Sequence, residues 1–222
     1  MSVSETPSAT NTKPTLPNEE HDYKVVYLDR DGIEKAHTLR QTRNGCKTGD
    51  GRIDDDQDSD VTHLKGALGE VAASDYYDTE LDEEAHVSGD NGVDFTFKGK
   101  TVDVKTTKYY KTGKLLIDAE AVEKARNPDS EKELPDVYLL AVRVESGDGW
   151  EKMGLVGWID RERALNREPR IYPENRDNLN YVVRRGELLS VPSIPFGDAL
   201  LQEPDGGMDV EGAFESAAGL AD

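Results

Sequence analysis

Two apolar periods mark the elements of this chain. From Gly92 to Lys105 the period is two, with Val93, Phe95, Val102 and Val104 on one face and Asp94, Thr96, Thr101, Asp103 and Lys105 on the other. This predicts a β-hairpin. With Lys98-Gly99 as a two-residue turn and Gly99 at positive φ, Phe97 pairs with Lys100, Thr96 with Thr101, Phe95 with Val102, and Asp94 with Asp103. From Ser59 or Asp60, either a good N-cap, the period turns helical through Tyr77. Leu64, Ala67, Leu68, Val71 and Ala72 share one stripe of that helix, and Glu70 borders it. Asp136 to Val144 is the most apolar run and reads as a buried central strand.

The remaining segments are shorter. Tyr23 to Leu28, the turn Asp29-Arg30-Asp31-Gly32 and Ile33 to Leu39 read together as a hairpin, followed by a short basic loop holding Arg40, Arg43 and Lys47. A short strand is expected near Ala85 to Ser88, another over Leu115 to Ile117, and a short helix or irregular excursion from Ala119 to Arg126 that ends at Asn127-Pro128. Gly147-Asp148-Gly149 turns the chain into a strand from Met153 to Ile159. Asp160 then caps a helix through about Arg167, and Tyr181 to Ser190 reads as a last strand pair. Residues 1–21 and 201–222 are poor in residues to bury and read as disordered ends, the second acidic, around a single domain at 22–200 with its core near 60–165.

Composition narrows the setting. No run approaches the roughly 18 apolar residues of a membrane span, and the first 20 residues are polar rather than signal-like, so the expected location is the cytoplasm, or a host's cytoplasm. Cys46 has no second thiol to pair with, which fits a reducing compartment. The net charge of -19 is what a salt-loving host would select, because long-range repulsion is screened within about 3 Å at 1 M salt. Acidity concentrated in the two ends is the plainer explanation. Asp54, Asp56 and Asp58 have the spacing of a calcium loop, but Ser59 and Lys65 occupy the positions that need glycine and a bidentate acid.

Against this acidic background, Lys98, Lys100, Lys105, Lys108, Lys111 and Lys114 form a basic island interrupted by one acid, Asp103, which suits nucleic-acid phosphate. Tyr109 and Tyr110 lie inside it. Arg161, Arg163, Arg167 and Arg170 make a second, weaker group, while Trp150 and Trp158 read as core or strand-end residues. In the hairpin, Asp94 opposite Asp103 places like charges about 4.5–5.5 Å apart at Cβ, which calls for a compensating cation such as a hard divalent metal. Asp103 and Lys105, at i and i+2, project to one side. Glu70 reaching in from the helix would complete three acids beside a lysine, the equipment of metal-assisted phosphodiester hydrolysis. His63 lies on the same helix flank as Glu70, although an exposed position is expected for it. The four histidines and Cys46 suggest no nucleophilic triad, and no glycine-rich phosphate loop or dinucleotide fingerprint occurs.

Glu70, Asp94 and Asp103-Val104-Lys105 resemble the PD-(D/E)xK nuclease superfamily. Gly66-Ala67-Leu68-Gly69-Glu70, Gly92-Val93-Asp94 and Val102 to Thr107 resemble in particular the small phage and archaeal-virus endonuclease-like proteins. The resemblance covers about residues 62–165 and departs from the family at Val93, where the motif has proline. It implies a restriction-endonuclease-like αβββαβ core with a mixed central sheet and a nuclease that cuts DNA with Mg²⁺ or Mn²⁺. Asp94 and Asp103 would ligate the metal, the Val104 carbonyl would add a ligand, Glu70 would support the metal or its water, and Lys105 would act at the nucleophile. Lys98, Lys100, Lys108, Lys111 and Lys114 would bind the nucleic acid. Double-strand cutting with one such site implies a homodimer. The alternative is a nucleic-acid-binding or interaction protein with weak or no catalysis on the same scaffold.

Overall fold

A computed structural model describes residues 23–45, 57–82, 92–109, 111–130, 132–174 and 177–191. The expected terminal arms, the strand near 85–88, Cys46, Lys47, Tyr110 and the acidic run through Asp54 and Asp56 lie outside these residues.

In chain order the elements are β1 (Lys24–Leu28), α1 (Arg30–Gly45), α2 (Gln57–Tyr77), β2 (Phe95–Phe97), β3 (Lys100–Thr107), β4 (Leu115–Asp118), α3 (Ala119–Arg126), β5 (Val137–Gly147), β6 (Trp150–Asp160), α4 (Arg161–Leu165), β7 (Arg170–Ile171) and β8 (Leu179–Val183). A 3-10 turn at Arg185–Glu187 follows. Five strands form a mixed sheet in the order β1-β6-β5-β3-β2, in which β3 and β5 run parallel and the other neighbours antiparallel. A second sheet has the order β4-β8-β7, all antiparallel. The fold is thus mixed α/β.

β5 explains the layering. Its odd residues Val137, Leu139 and Ala141 join Leu68, Val71, Val102, Val104 and Leu155 in a core beneath α1 and α2. Its even residues Tyr138, Leu140 and Val142 join Leu115, Ile117, Val122, Tyr181 and Val183 in a second core on the other face. A strand covered on both sides has no polar face to present, which is why 137–142 is continuously apolar. The expected central strand is therefore found where the apolar run placed it.

The first hairpin is corrected. β1 forms as read but pairs with β6, and the chain then enters helix α1 rather than a second strand. Asp29 starts the helix: its Oδ1 accepts the Gly32 N–H at 3.2 Å and its carbonyl accepts the Ile33 N–H at 3.0 Å. Ile33, Ala36 and Leu39, at helical spacing, then pack on the first core. Arg40 and Arg43 accordingly belong to a helix, not a loop. The final strand pair is also corrected. β8 pairs with β4 and β7, while Leu189 makes an isolated bridge to Trp158. Asp160 caps α4 as expected, accepting the Arg163 N–H at 2.8 Å, but the helix stops at Leu165.

Candidate functional site

The β2–β3 hairpin has three of its four expected pairs, Phe95 with Val102, Thr96 with Thr101 and Phe97 with Lys100, while Asp94 lies before the ladder and is not paired with Asp103 in it. Its two-residue turn forms at Lys98-Gly99 as expected, with one difference at Lys98. Both Lys98 (φ 47°) and Gly99 (φ 79°) are left-handed, the combination whose twist matches the flanking strands. A knot of hydrogen bonds fixes the start of β3. Thr101 N–H donates to Asp136 Oδ2 at 3.1 Å, and Asp136 N–H donates back to Thr101 Oγ1 at 2.9 Å. Arg161 N–H donates to the Asp136 carbonyl at 2.9 Å, tying α4 to the same point.

Asp94 lies just before β2 and is buried. Its N–H donates to the Val102 carbonyl at 2.8 Å, its carbonyl accepts the Asp82 N–H at 2.8 Å, and its Oδ2 accepts the Val104 N–H at 2.7 Å. The carboxylate thus meets β3 at the peptide that follows Asp103. Asp103 is also buried, and its Oδ2 lies 2.7 Å from Lys105 Nζ. The i, i+2 pair shares a face as read, and it is the face opposite Val102 and Val104. Parallel pairing sets Asp103 beside Tyr138 and Lys105 beside Leu140.

That face opens on a cavity of about 290 Å³ between the main sheet and α3, with Asp103, Lys105, Tyr138, Asp118, Lys132 and Asn180 in its lining. The Tyr138 hydroxyl is pushed above the usual tyrosine range, first by burial and next by the negative charge of Asp103; Lys105, Arg161 and Arg126 act in the opposite direction. Asp118 is held as the N-cap of α3, accepting the N–H groups of Glu120 at 2.8 Å and Ala121 at 3.1 Å. Its role was readable from an acid placed before Ala-Glu-Ala. Tyr138 hides inside an apolar strand, and Asn180 reaches the cavity through a pairing some sixty positions away, for which no local signal exists.

Glu70 is buried on α2, whose stripe packs on the Val102 and Val104 side of the sheet. Its neighbour Gly69 is needed for the close approach: a Cβ there would meet Thr106 Oγ1 at 2.0 Å and Ala141 Cβ at 3.2 Å. The structure therefore brings together Asp94, Asp103, Val104 and Lys105. Among the described residues, no three of His, Cys, Asp and Glu are grouped as a ready-made metal cage. His63 is exposed on α2.

The lysines divide into two groups. Lys98 and Lys100 sit at the hairpin tip, while Lys108, Lys111 and Lys114 follow the far end of β3. The seven steps of that strand separate the groups by about 23 Å. Lys98 Nζ lies 5.9 Å from the Phe97 ring centre, and Lys108 Nζ lies 5.2 Å from that of the exposed Tyr109. In the arginine group, Arg161 donates to the Leu134 carbonyl at 3.0 Å and Arg167 to the Val182 carbonyl at 3.1 Å, so both brace the fold. Trp158 is buried in the first core, and Trp150 rests 6.2 Å from the Tyr27 ring, the structural positions expected for them.

No helix among the described residues is long and apolar enough to cross a membrane. Comparison of the chain with protein-family models, with characterised proteins and with solved structures gives no match.

Proposed function

We propose that this protein is a metal-dependent nuclease that hydrolyses phosphodiester bonds in DNA. The observation that carries the reading is the contact of Asp103 with Lys105 at 2.7 Å in a hairpin whose neighbouring Asp94 carboxylate touches the same strand at Val104. The order α2, β2, β3, β4, α3, β5 supports a restriction-endonuclease-like core, since the antiparallel β2–β3 hairpin is followed by a crossover to the parallel β5. β4 departs from that pattern by joining the second sheet.

Asp94, Asp103 and the Val104 carbonyl offer hard oxygen donors, which fit Mg²⁺ or Mn²⁺ by chemistry. Such an ion, when bound, polarises the phosphate and lowers the pKa of a coordinated water. The chain's own contribution is positional. The Val104 N–H orients Asp94, the Asp103 carboxylate holds Lys105 at the cavity, and the ammonium offsets negative charge on a phosphate or steadies the attacking water. Glu70 lies on the α2 side of the sheet, away from the face that carries Asp103 and Lys105, so the site rests on Asp94, Asp103, Val104 and Lys105, and the lysines at both ends of β3 would carry the DNA backbone across it.

A second reading, nucleic-acid binding without efficient cleavage, is favoured by one observation: each aspartate already spends an oxygen on a protein partner, and among the described residues no third acid joins them in a cage. The deciding experiment is incubation with linear, circular, single-stranded and branched DNA and RNA, with and without Mg²⁺ or Mn²⁺. Metal-dependent cleavage that Asp103→Ala and Lys105→Ala each reduce by at least about 100-fold supports the nuclease. Binding without product across the panel supports the second reading.

A further inference from the structure

The loop after β3 and the β7–β8 hairpin meet at Tyr172. Lys114 Nζ lies 4.2 Å from its ring centre and Arg170 Cζ 5.9 Å, so two cations from distant parts of the chain converge on one aromatic ring. Ile171 and Leu179, a registered cross-strand pair that is 53% and 50% exposed, lie on the other face of the same ribbon. Exposed apolar residues are ordinary; a ring approached by two cations from separate segments is not. In a chain of net charge -19, such a surface must attract an anion that also presents flat apolar faces.

We propose that Lys114, Arg170 and Tyr172 form a binding surface for single-stranded nucleic acid, in which an unpaired base lies against the ring while the cations take the phosphates. This deepens, and rests on, the nuclease reading, because it names the form of substrate delivered to that site. Register supports the connection. Arg170 pairs with Asn180, Asn180 pairs with Asp118, and both Asn180 and Asp118 line the cavity that holds Asp103 and Lys105. Asn180 Nδ2 also donates to the Tyr172 carbonyl at 2.7 Å, so ring and cavity share one anchoring side chain. The loop itself is tight, with the Gly113 N–H donating to the Tyr109 carbonyl at 2.6 Å, and it presents the 59% exposed Tyr109 beside Lys108 as a second stacking position. The acids that flank it in sequence are Glu168 before β7 and Glu174 and Asp177 in the β7–β8 connection. The apolar area of one ring is small for a stable protein partner or for a membrane, while base stacking needs only one ring per base.

The test is fluorescence anisotropy of a labelled oligonucleotide with the full chain, in chelator so that cleavage plays no part, alongside the matching duplex and anionic vesicles. Single strands are expected to bind more tightly than duplex. Tyr172→Ala and Arg170→Gln should each weaken single-strand binding by about tenfold, and Tyr172→Trp should retain it. Equal affinity of wild type and both weakening variants, absence of oligonucleotide binding, or binding to vesicles alone overturns the proposal. Cleavage is read separately with metal. Binding that depends on Tyr172 in a protein that never cuts leaves this surface standing and removes the nuclease reading; cleavage with unaltered binding in Tyr172→Ala does the reverse.

Discussion

Asp94 shows why the choice of substitution matters at the centre of this site. Its Oδ2 satisfies the buried Val104 N–H at 2.7 Å, so Asp94→Ala removes a hydrogen bond as well as a charge and should destabilise the protein by about 1–3 kcal/mol. Asp94→Asn keeps an oxygen for that N–H and should stay within about 1 kcal/mol of wild type. If Asp94 is a metal ligand, Mg²⁺ or Mn²⁺ will raise the wild-type melting temperature, and the rise will be lost in Asp94→Asn; equal shifts in the two proteins would remove Asp94 from the ligand set. Lys98 supplies a second test. A side chain at φ 47° is strained, and asparagine tolerates this region better, so Lys98→Asn should raise the denaturant midpoint by the equivalent of about 0.5–1 kcal/mol. An unchanged or lower midpoint would contradict the turn geometry. These residues were legible because hairpin register is local: period two and one glycine fix which side chains face each other. Lys98's own positive φ was not legible, since lysine gives no such signal.

At the level of elements, α2 is seated by contact with β3 and by aromatics. Gly69 permits the approach to Thr106 and Ala141, and Gly69→Val should cost about 1–3 kcal/mol or more in denaturant unfolding by forcing helix and sheet apart. Near the end of α2, Tyr77 packs 5.2 Å from Phe97 and 6.2 Å from Phe95, clamping the helix to the hairpin. Burial, and then the charge of Tyr76, push the Tyr77 hydroxyl well above the usual range. The neutral form is therefore favoured on folding. Its contribution is fully present below about pH 10, the unfolded tyrosine value, and is lost as the pH rises beyond it. Stability measured from pH 8 to 11 should fall above about pH 10, and less steeply in Tyr77→Phe; identical slopes would contradict the assignment. The helix α2 and strand β5 were readable because each period extends over many residues. Helix α1 was misread because Asp-Gly, flanked by alternating residues, imitates a hairpin turn, while Asp29 in fact begins a helix whose apolar stripe, Ile33 to Leu39, runs for less than two turns.

For the molecule as a whole, the two-sided burial of β5 was visible in its apolar run, but the partner on its second face was not. The second sheet joins β4 to β8 across some sixty intervening residues, and neither short strand carries a period strong enough to announce the pairing. With it came Asn180 and the cavity beside Asp103. The net charge of -19 belongs to this scale too. Self-repulsion should be screened by salt, so the melting temperature is expected to rise between about 0.1 and 2 M KCl, and a fall would argue against adaptation to salt.

The central claim concerns Asp103 and Lys105 acting together on a phosphodiester. Its most direct measurement is a single-turnover cleavage time course on labelled DNA with Mn²⁺, wild type beside Asp103→Asn and Lys105→Ala, at salt where all three bind the DNA. Product from the wild type alone, with each variant slowed by at least about 100-fold, is the expected result. Equal product from all three, or none from a wild type that binds, would contradict it.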